Sequence, residues 1–212
     1  MHRTYLLDAS AAIEIYIPRS SRTKKAIQFI LDQKRIFRQA TLLIPNFCIV
    51  EVLNAFARMR FSQEHEDQPL SAMDYEKHLT RFRDDVHWGK TLYQYELNRY
   101  HIIAADTIIP AEHRFPRRYE HDHLSTFDIL IIAMACEAAY IGALEDTFLV
   151  TCDQRLKHVF EDLKKSDVSG FMVAGPLGEI DERRWTPPRC VYLPNAGQGE
   201  LRHVSGQAPY NP

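Results

Sequence analysis

Short apolar runs closed by an acid or a proline recur along this chain. They are Tyr5-Leu6-Leu7 before Asp8, Thr41-Leu42-Leu43-Ile44 before Pro45, Tyr100–Ala104, "TFLVT" at Thr147–Thr151, and Phe171–Ala174. Runs of this length and composition predict buried strands. Between them the apolar positions return at helical spacing. A helix-like stretch follows Asp8 to about Tyr16 and is broken by Pro18. Ser21 to Lys34 carries Ala26, Ile27, Ile30 and Leu31 on one stripe. Asn46 is placed to N-cap a helix to about Arg60, Ser71 to Arg99 is mixed and largely helical, and Asp153 begins a helix ending near Lys165. Ile129–Leu144, "ILIIAMACEAAYIGAL", is greasy on every side except at Glu137. It is too short to span a bilayer comfortably and reads as a buried helix. Ser62–Leu70 and Pro110–His123 are polar loops. After Pro176, Pro, Gly and polar residues dominate, and the pattern predicts an extended tail with little core of its own.

Strand and helix thus alternate, which predicts a three-layer α/β/α fold with a central parallel sheet. The boundaries that follow are one domain over 1–175, a helical insertion at 62–99 and a tail over 176–212. In such sheets ligands bind beyond the carboxyl ends of the strands.

Composition changes this picture little. The chain of 212 residues is 45% hydrophobic and 25% charged, as a soluble globular protein is. A net charge of −2 argues against a broad polyanion-binding surface and leaves room for local basic patches. No apolar leader opens the chain, so the expected location is cytoplasmic. The four cysteines, Cys48, Cys136, Cys152 and Cys190, are scattered with no C-x-x-C pair. They read as core residues in a reducing compartment, and no His/Cys constellation for zinc is evident.

The chemistry gathers at the predicted strand ends. Asp8 closes the first strand, and Asp153 lies two residues past "FLVT". Asp128 falls in the first turn of the greasy helix. Glu51 is the one polar residue in the run Phe47–Leu53. Each has an ordinary explanation: Asp8 and Asp153 as helix caps, Ser125-x-x-Asp128 as a capping box, Glu51 on a solvated stripe. Together they are four acids from four segments on one edge of the sheet. Clustered carboxylates repel unless protons or cations neutralise them. Hard divalent cations with oxygen ligands, Mg²⁺ or Mn²⁺, suit such a set, and phosphoryl transfer or hydrolysis is the matching reaction class.

With these residues in place, the sequence resembles a PIN domain. The segments are "YLLDASAAIEIY", "IPNFCIVEVLNAF", "LSTFDILIIAMA" and "FLVTCDQRL". Within that family it is most similar to the VapC-type toxins of toxin–antitoxin pairs. The resemblance implies a metal-dependent ribonuclease, a homodimer, and a cognate antitoxin as partner. It implies Asp8, Glu51 and Asp128 as the principal metal-binding acids and Asp153 as the fourth, holding metal or the attacking water. Thr151 and Ser10 would hold a carboxylate by hydrogen bond. The long stretch from Glu51 to Asp128 and the tail depart from the compact members of the family.

For RNA, Arg114, Arg117 and Arg118 cluster before Asp128 with Phe115 and Tyr119 interleaved, suited to phosphate contact and base stacking. Arg58, two turns beyond Glu51, is placed to balance the acids or touch phosphate. A second basic group comprises Arg19, Arg22, Lys24 and Lys25. His121 and His123 read as solvated surface. Two other readings compete with the nuclease. One is a non-catalytic PIN-like module that binds RNA or protein. The other is a phosphatase or receiver-like domain, which Asp8-Ala9-Ser10 fits poorly because it lacks a second acid.

Overall fold

A computed structural model describes residues 2–36, 38–62, 69–114, 123–142, 146–165 and 187–196. Five parallel strands form one sheet: β1 (Arg3–Leu7), β2 (Ala40–Pro45), β3 (Tyr93–Tyr95), β4 (Asp146–Thr151) and β5 (Arg189–Tyr192). Their spatial order is β3-β2-β1-β4-β5. The chain runs outward from β1 through β2 to β3, then returns to place β4 on the other side of β1. That reversal opens a crevice at the carboxyl ends of β1 and β4, where side chains from both can meet.

Among the described residues the helices are α1 (Ala9–Ile13), α2 (Ser21–Arg35), α3 (Asn46–Phe61), α4 (Ala72–His87), α5 (Arg99–Arg114), α6 (Thr126–Ile141) and α7 (Gln154–Lys165). Helices α1, α3 and α4 pack in succession on one another, as do α6, α5 and α7, the grouping expected of right-handed crossovers on either side of a parallel sheet. The fold is therefore α/β with a central parallel sheet between helical layers. Thr4–Leu7 and Thr147–Thr151 are buried at every position, because both faces of the central strands are covered. Tyr5 and Phe148, in register on β1 and β4, stack at 5.1 Å. The greasy helix, α6, is buried continuously from Ile129 to Cys136. All four cysteines are free thiols, with Cys48 and Cys136 buried. Among the described residues, no helix is long and apolar enough to cross a membrane.

Several expected elements are placed differently. Tyr100–Ala104 belongs to helix α5, not to a strand. Its buried residues His101, Ala104, Ile108 and Glu112 fall on a helical stripe, while Ile102 and Ile103 are exposed. Asn98 starts it by accepting from the backbone N–H groups of Tyr100 (2.9 Å) and His101 (3.4 Å). The helix continues through Pro110 to Arg114, so the first part of the expected loop is helical, and 115–122 lie outside the described residues. Pro110 is exposed, as is Asp106, whose carbonyl it leaves unpaired within the helix, so water reaches the break.

The third strand is Tyr93–Tyr95, inside the stretch expected to be a helical insertion. Helix α4 of that stretch is anchored in the core. Phe82 and Phe56 meet Tyr16 edge-on at 5.5 and 5.9 Å. The Tyr16 hydroxyl donates to Asp85 at 3.1 Å, and Thr91 donates to the same carboxylate at 2.5 Å. The segment after Pro176, expected to be extended tail, supplies β5 and a 3-10 turn at Leu193–Asn195. Val191, Leu193 and Ala196 are buried. The expected strand Phe171–Ala174 lies outside the described residues. Asn46 is not an N-cap: Pro45 holds that place without a side-chain bond, and the Asn46 amide oxygen lies 3.4 Å from the Leu97 N–H.

Candidate functional site

Each central strand delivers a polar residue to the crevice as it ends. Asp8 directly follows β1, and its backbone N–H donates to the Val150 carbonyl of β4 at 3.1 Å, fixing the two strand ends together. Its side chain caps α1, accepting from the Ala11 N–H at 2.7 Å. The Thr151 hydroxyl, the last residue of β4, donates to Asp8 Oδ2 at 2.6 Å. The Ser10 hydroxyl reaches both carboxylate oxygens, at 2.8 and 2.9 Å. These two hydroxyls are held in turn. Ser10 Oγ accepts from the Cys152 N–H, and Thr151 Oγ1 accepts from the Asp153 N–H, each at 2.8 Å. One chain of hydrogen bonds therefore links Asp153, Thr151, Asp8, Ser10 and Cys152 across β1 and β4.

Of the other acids, Asp153 and Asp128 sit at helix starts and Glu51 lies more than a turn into α3. Asp153 begins α7, with Oδ1 accepting from the Arg155 N–H at 2.7 Å. Asp128 lies in the first turn of α6, in a capping box with Ser125. Its Oδ2 accepts the Ser125 hydroxyl at 2.7 Å and the Ser125 N–H at 3.0 Å. Glu51 lies on an exposed position of α3, with the Cys48 thiol bonded to it. Capping and clustering thus coexist at Asp8, Asp128 and Asp153.

Electrostatics couples the acids. Asp8 is buried, and burial raises its pKa from 3.8 to about 6, against its hydrogen bonds and with a further contribution from Asp128. Glu51 is also shifted upward, by burial first and then by the charge of Asp128. A cation already stands beside two of the four. One Arg155 guanidinium nitrogen is 3.3 Å from both Asp128 Oδ2 and Asp153 Oδ2. Arg58, expected to balance the acids or touch phosphate, occupies an exposed position near the end of α3. Arg155 was missed; its one signal is the spacing, two residues beyond the fourth acid.

Phe47 and Phe127, at the starts of α3 and α6, stack at 5.1 Å near Glu51 and Asp128, and Phe127 is half exposed. Of the basic residues expected to meet RNA, Arg114 is exposed at the end of α5. Arg117 and Arg118, like Phe115 and Tyr119, lie outside the described residues. In the second basic group, Arg19 is paired with Glu14 at 3.0 Å.

The tightest grouping of donor atoms is elsewhere. Among the described residues, Glu112, His113 and His123 bring one ligand atom each to within 4.8 Å of one another. The four acids are spread more widely. His123, expected as solvated surface, is instead partly buried and bonded to the buried Glu112 carboxylate, and with His113 it forms the histidine grouping that the spacing does not show. The three residues come from α5 and from the approach to α6, and only the fold unites them. His121 lies outside the described residues.

No protein-family model and no curated protein sequence matches the chain. Among solved structures it is similar to VapBC2 from Rickettsia felis bound to a DNA fragment from their promoter. The TM-score is 0.47 and the identity 12%, over 74% of this chain and 92% of that one.

Proposed function

We propose that the chain is a Mg²⁺- or Mn²⁺-dependent endoribonuclease of the PIN type, acting as the toxin of a toxin–antitoxin pair. The single observation that carries the nuclease reading is the buried Asp8 carboxylate at the β1/β4 crevice, with its raised pKa and its coupling to Asp128. A buried acid so disfavoured as an anion is a stable design element only if something positive joins it. The donors that would join it are carboxylate oxygens of Glu51, Asp128 and Asp153, which with Asp8 make the kind of set that hard divalent cations take. These four would hold the ion. When bound, it supplies a counter-charge for a phosphodiester and acidifies a nearby water.

The chain's own residues do the rest. Thr151 and Ser10 fix the orientation of Asp8. Asp153, whose side chain is about one-third exposed, is positioned to take the proton of an attacking water on Oδ2. Water's oxygen would bond to phosphorus as the bond to the departing ribose oxygen breaks, and that oxygen takes up a proton from solvent. Arg155 stands where a phosphate oxygen is attracted. Phe127, stacked on Phe47, would offer a face to an unpaired base, and Arg114, exposed at the end of α5, would meet phosphate. A homodimer and an antitoxin whose segment fills the groove belong to the same proposal, as does a cytoplasmic location. They rest on the sequence resemblance.

Arg155 favours one second reading, a metal-free module that binds RNA or protein, because it already neutralises part of the cluster. Calorimetric titration with Mn²⁺ decides between them. The nuclease reading expects binding that Asp8→Asn removes, and absence of binding selects the module. For the toxin step, expression of the chain is expected to arrest growth, with rescue by an adjacent small gene for a DNA-binding antitoxin. Unimpaired growth would refute that step.

A further inference from the structure

From Glu112, His113 and His123 we infer a second metal site, specific for a zinc-class transition ion and separate from the acid cluster. The Glu112 carboxylate is 1% exposed, and both its oxygens lie 3.0 Å from His123 Nδ1. His113 Nε2 is 3.7 Å from Glu112 Oε2. The two imidazole rings stack at 4.5 Å with 25° between their planes, and each has a nitrogen within 3.7 Å of the same carboxylate. Two imidazole nitrogens and one carboxylate oxygen form a borderline-soft donor set, one that zinc-class ions take readily and Mg²⁺ does not. The donors already lie within 4.8 Å of each other, so an ion needs only small side-chain adjustments to reach all three.

The surroundings fit an ion that enters from solvent and is gripped from beneath. The His113 side chain is 60% exposed and that of His123 is 30% exposed, while the carboxylate lies under them. A three-ligand site leaves one coordination position for water or another donor. Its place in the fold indicates what it does. Glu112 and His113 form the last turn of α5, and His123 stands two residues before Ser125, which caps α6 and bonds to Asp128. An ion here clasps the end of α5 to the entry of the helix that carries Asp128. The sites are chemically distinct, so this inference does not rest on the nuclease reading.

Co²⁺, a spectroscopic substitute for zinc, tests the inference on the full chain after chelator treatment. Mg²⁺ is kept in excess to occupy the acid cluster. One equivalent of Co²⁺ is expected to give the strong visible absorption of a four-coordinate ion, retained in Asp8→Asn. His113→Gln, at an exposed position where folding is little disturbed, is expected to weaken Co²⁺ binding at least about 100-fold, the upper end of what losing even an outer partner costs. His123→Gln is expected to do the same. If no such absorption develops, or if it survives both histidine substitutions, the three residues are a plain hydrogen-bonded cluster and the inference is overturned. Absorption lost in Asp8→Asn but kept in the histidine variants would also overturn it, by assigning the ion to the acid cluster.

Discussion

Asp8 offers a test that needs no substrate. In the folded chain its pKa is lifted from 3.8 to about 6, chiefly by burial. The folded state therefore binds the proton more tightly than the unfolded chain does. Between pH 4 and pH 6 the folded state holds more protons, so stability falls as the pH rises. It is fully present below 3.8 and lost as the pH passes through 6. The size of the loss is the lift in pKa at about 1.4 kcal/mol for each tenfold step, or about 3 kcal/mol. Asp8→Asn replaces the carboxylate with a neutral group of the same shape. Its oxygen can still accept from the Ala11 N–H, but its amide must find a new geometry with Thr151, at a cost of about 1 kcal/mol. The assay is urea unfolding in EDTA at half-unit steps from pH 4 to pH 7.5. The difference in stability between variant and parent is expected to move by about 2.5 kcal/mol in favour of the variant over that range, leaving Asn more stable at neutral pH by about 2 kcal/mol. Taking the difference cancels carboxylates common to both proteins. A difference that stays constant with pH would show that Asp8 does not carry the buried charge ascribed to it.

Three further outcomes follow from the same contacts. Thr151→Val removes the hydroxyl that donates to Asp8 and accepts from the Asp153 N–H; Mn²⁺ affinity measured by calorimetry is expected to fall about 10–100-fold, with the fold retained by circular dichroism. Arg155→Ala leaves Asp128 and Asp153 facing each other without their shared cation. Because these groups are partly exposed, the loss in EDTA is expected to be about 1 kcal/mol by chemical denaturation, and saturating Mn²⁺ is expected to recover most of it. Glu51→Gln relieves repulsion with Asp128, so metal-free stability by denaturant titration is expected to stay level or rise slightly while metal affinity falls. A variant with unaltered Mn²⁺ binding would return Glu51 to an ordinary exposed position on α3.

Much of the layout is legible in the sequence because β1 and β4 are buried on both faces. Full burial leaves continuous apolar runs that no periodicity is needed to find, and the acids following those runs stand out by contrast. What was illegible has local causes. Tyr93–Tyr95 is a three-residue edge strand with two exposed positions, too short and too polar to signal itself. "HIIAA" in α5 is a short apolar run that suits strand and helix alike, and only the burial of Ala104 and Ile108 against the core separates them. Arg189–Tyr192 is hidden in a stretch of Pro and polar residues, and gains its strand identity from pairing with β4. Arg155 and the Glu112–His113–His123 group depend on side chains from distant segments. Nothing in the spacing of Glu112 and His123 announces that a helix end and a helix approach meet.

The central claim is that the acids at the β1/β4 crevice hydrolyse RNA with a divalent cation. The direct measurement is cleavage of single-stranded RNA by the purified chain with Mn²⁺, with EDTA, and with Mn²⁺ after Asp8→Asn. Cleavage that requires Mn²⁺ and disappears in a folded Asp8→Asn protein is the predicted result. Cleavage that persists in EDTA, or at full rate in Asp8→Asn, contradicts it.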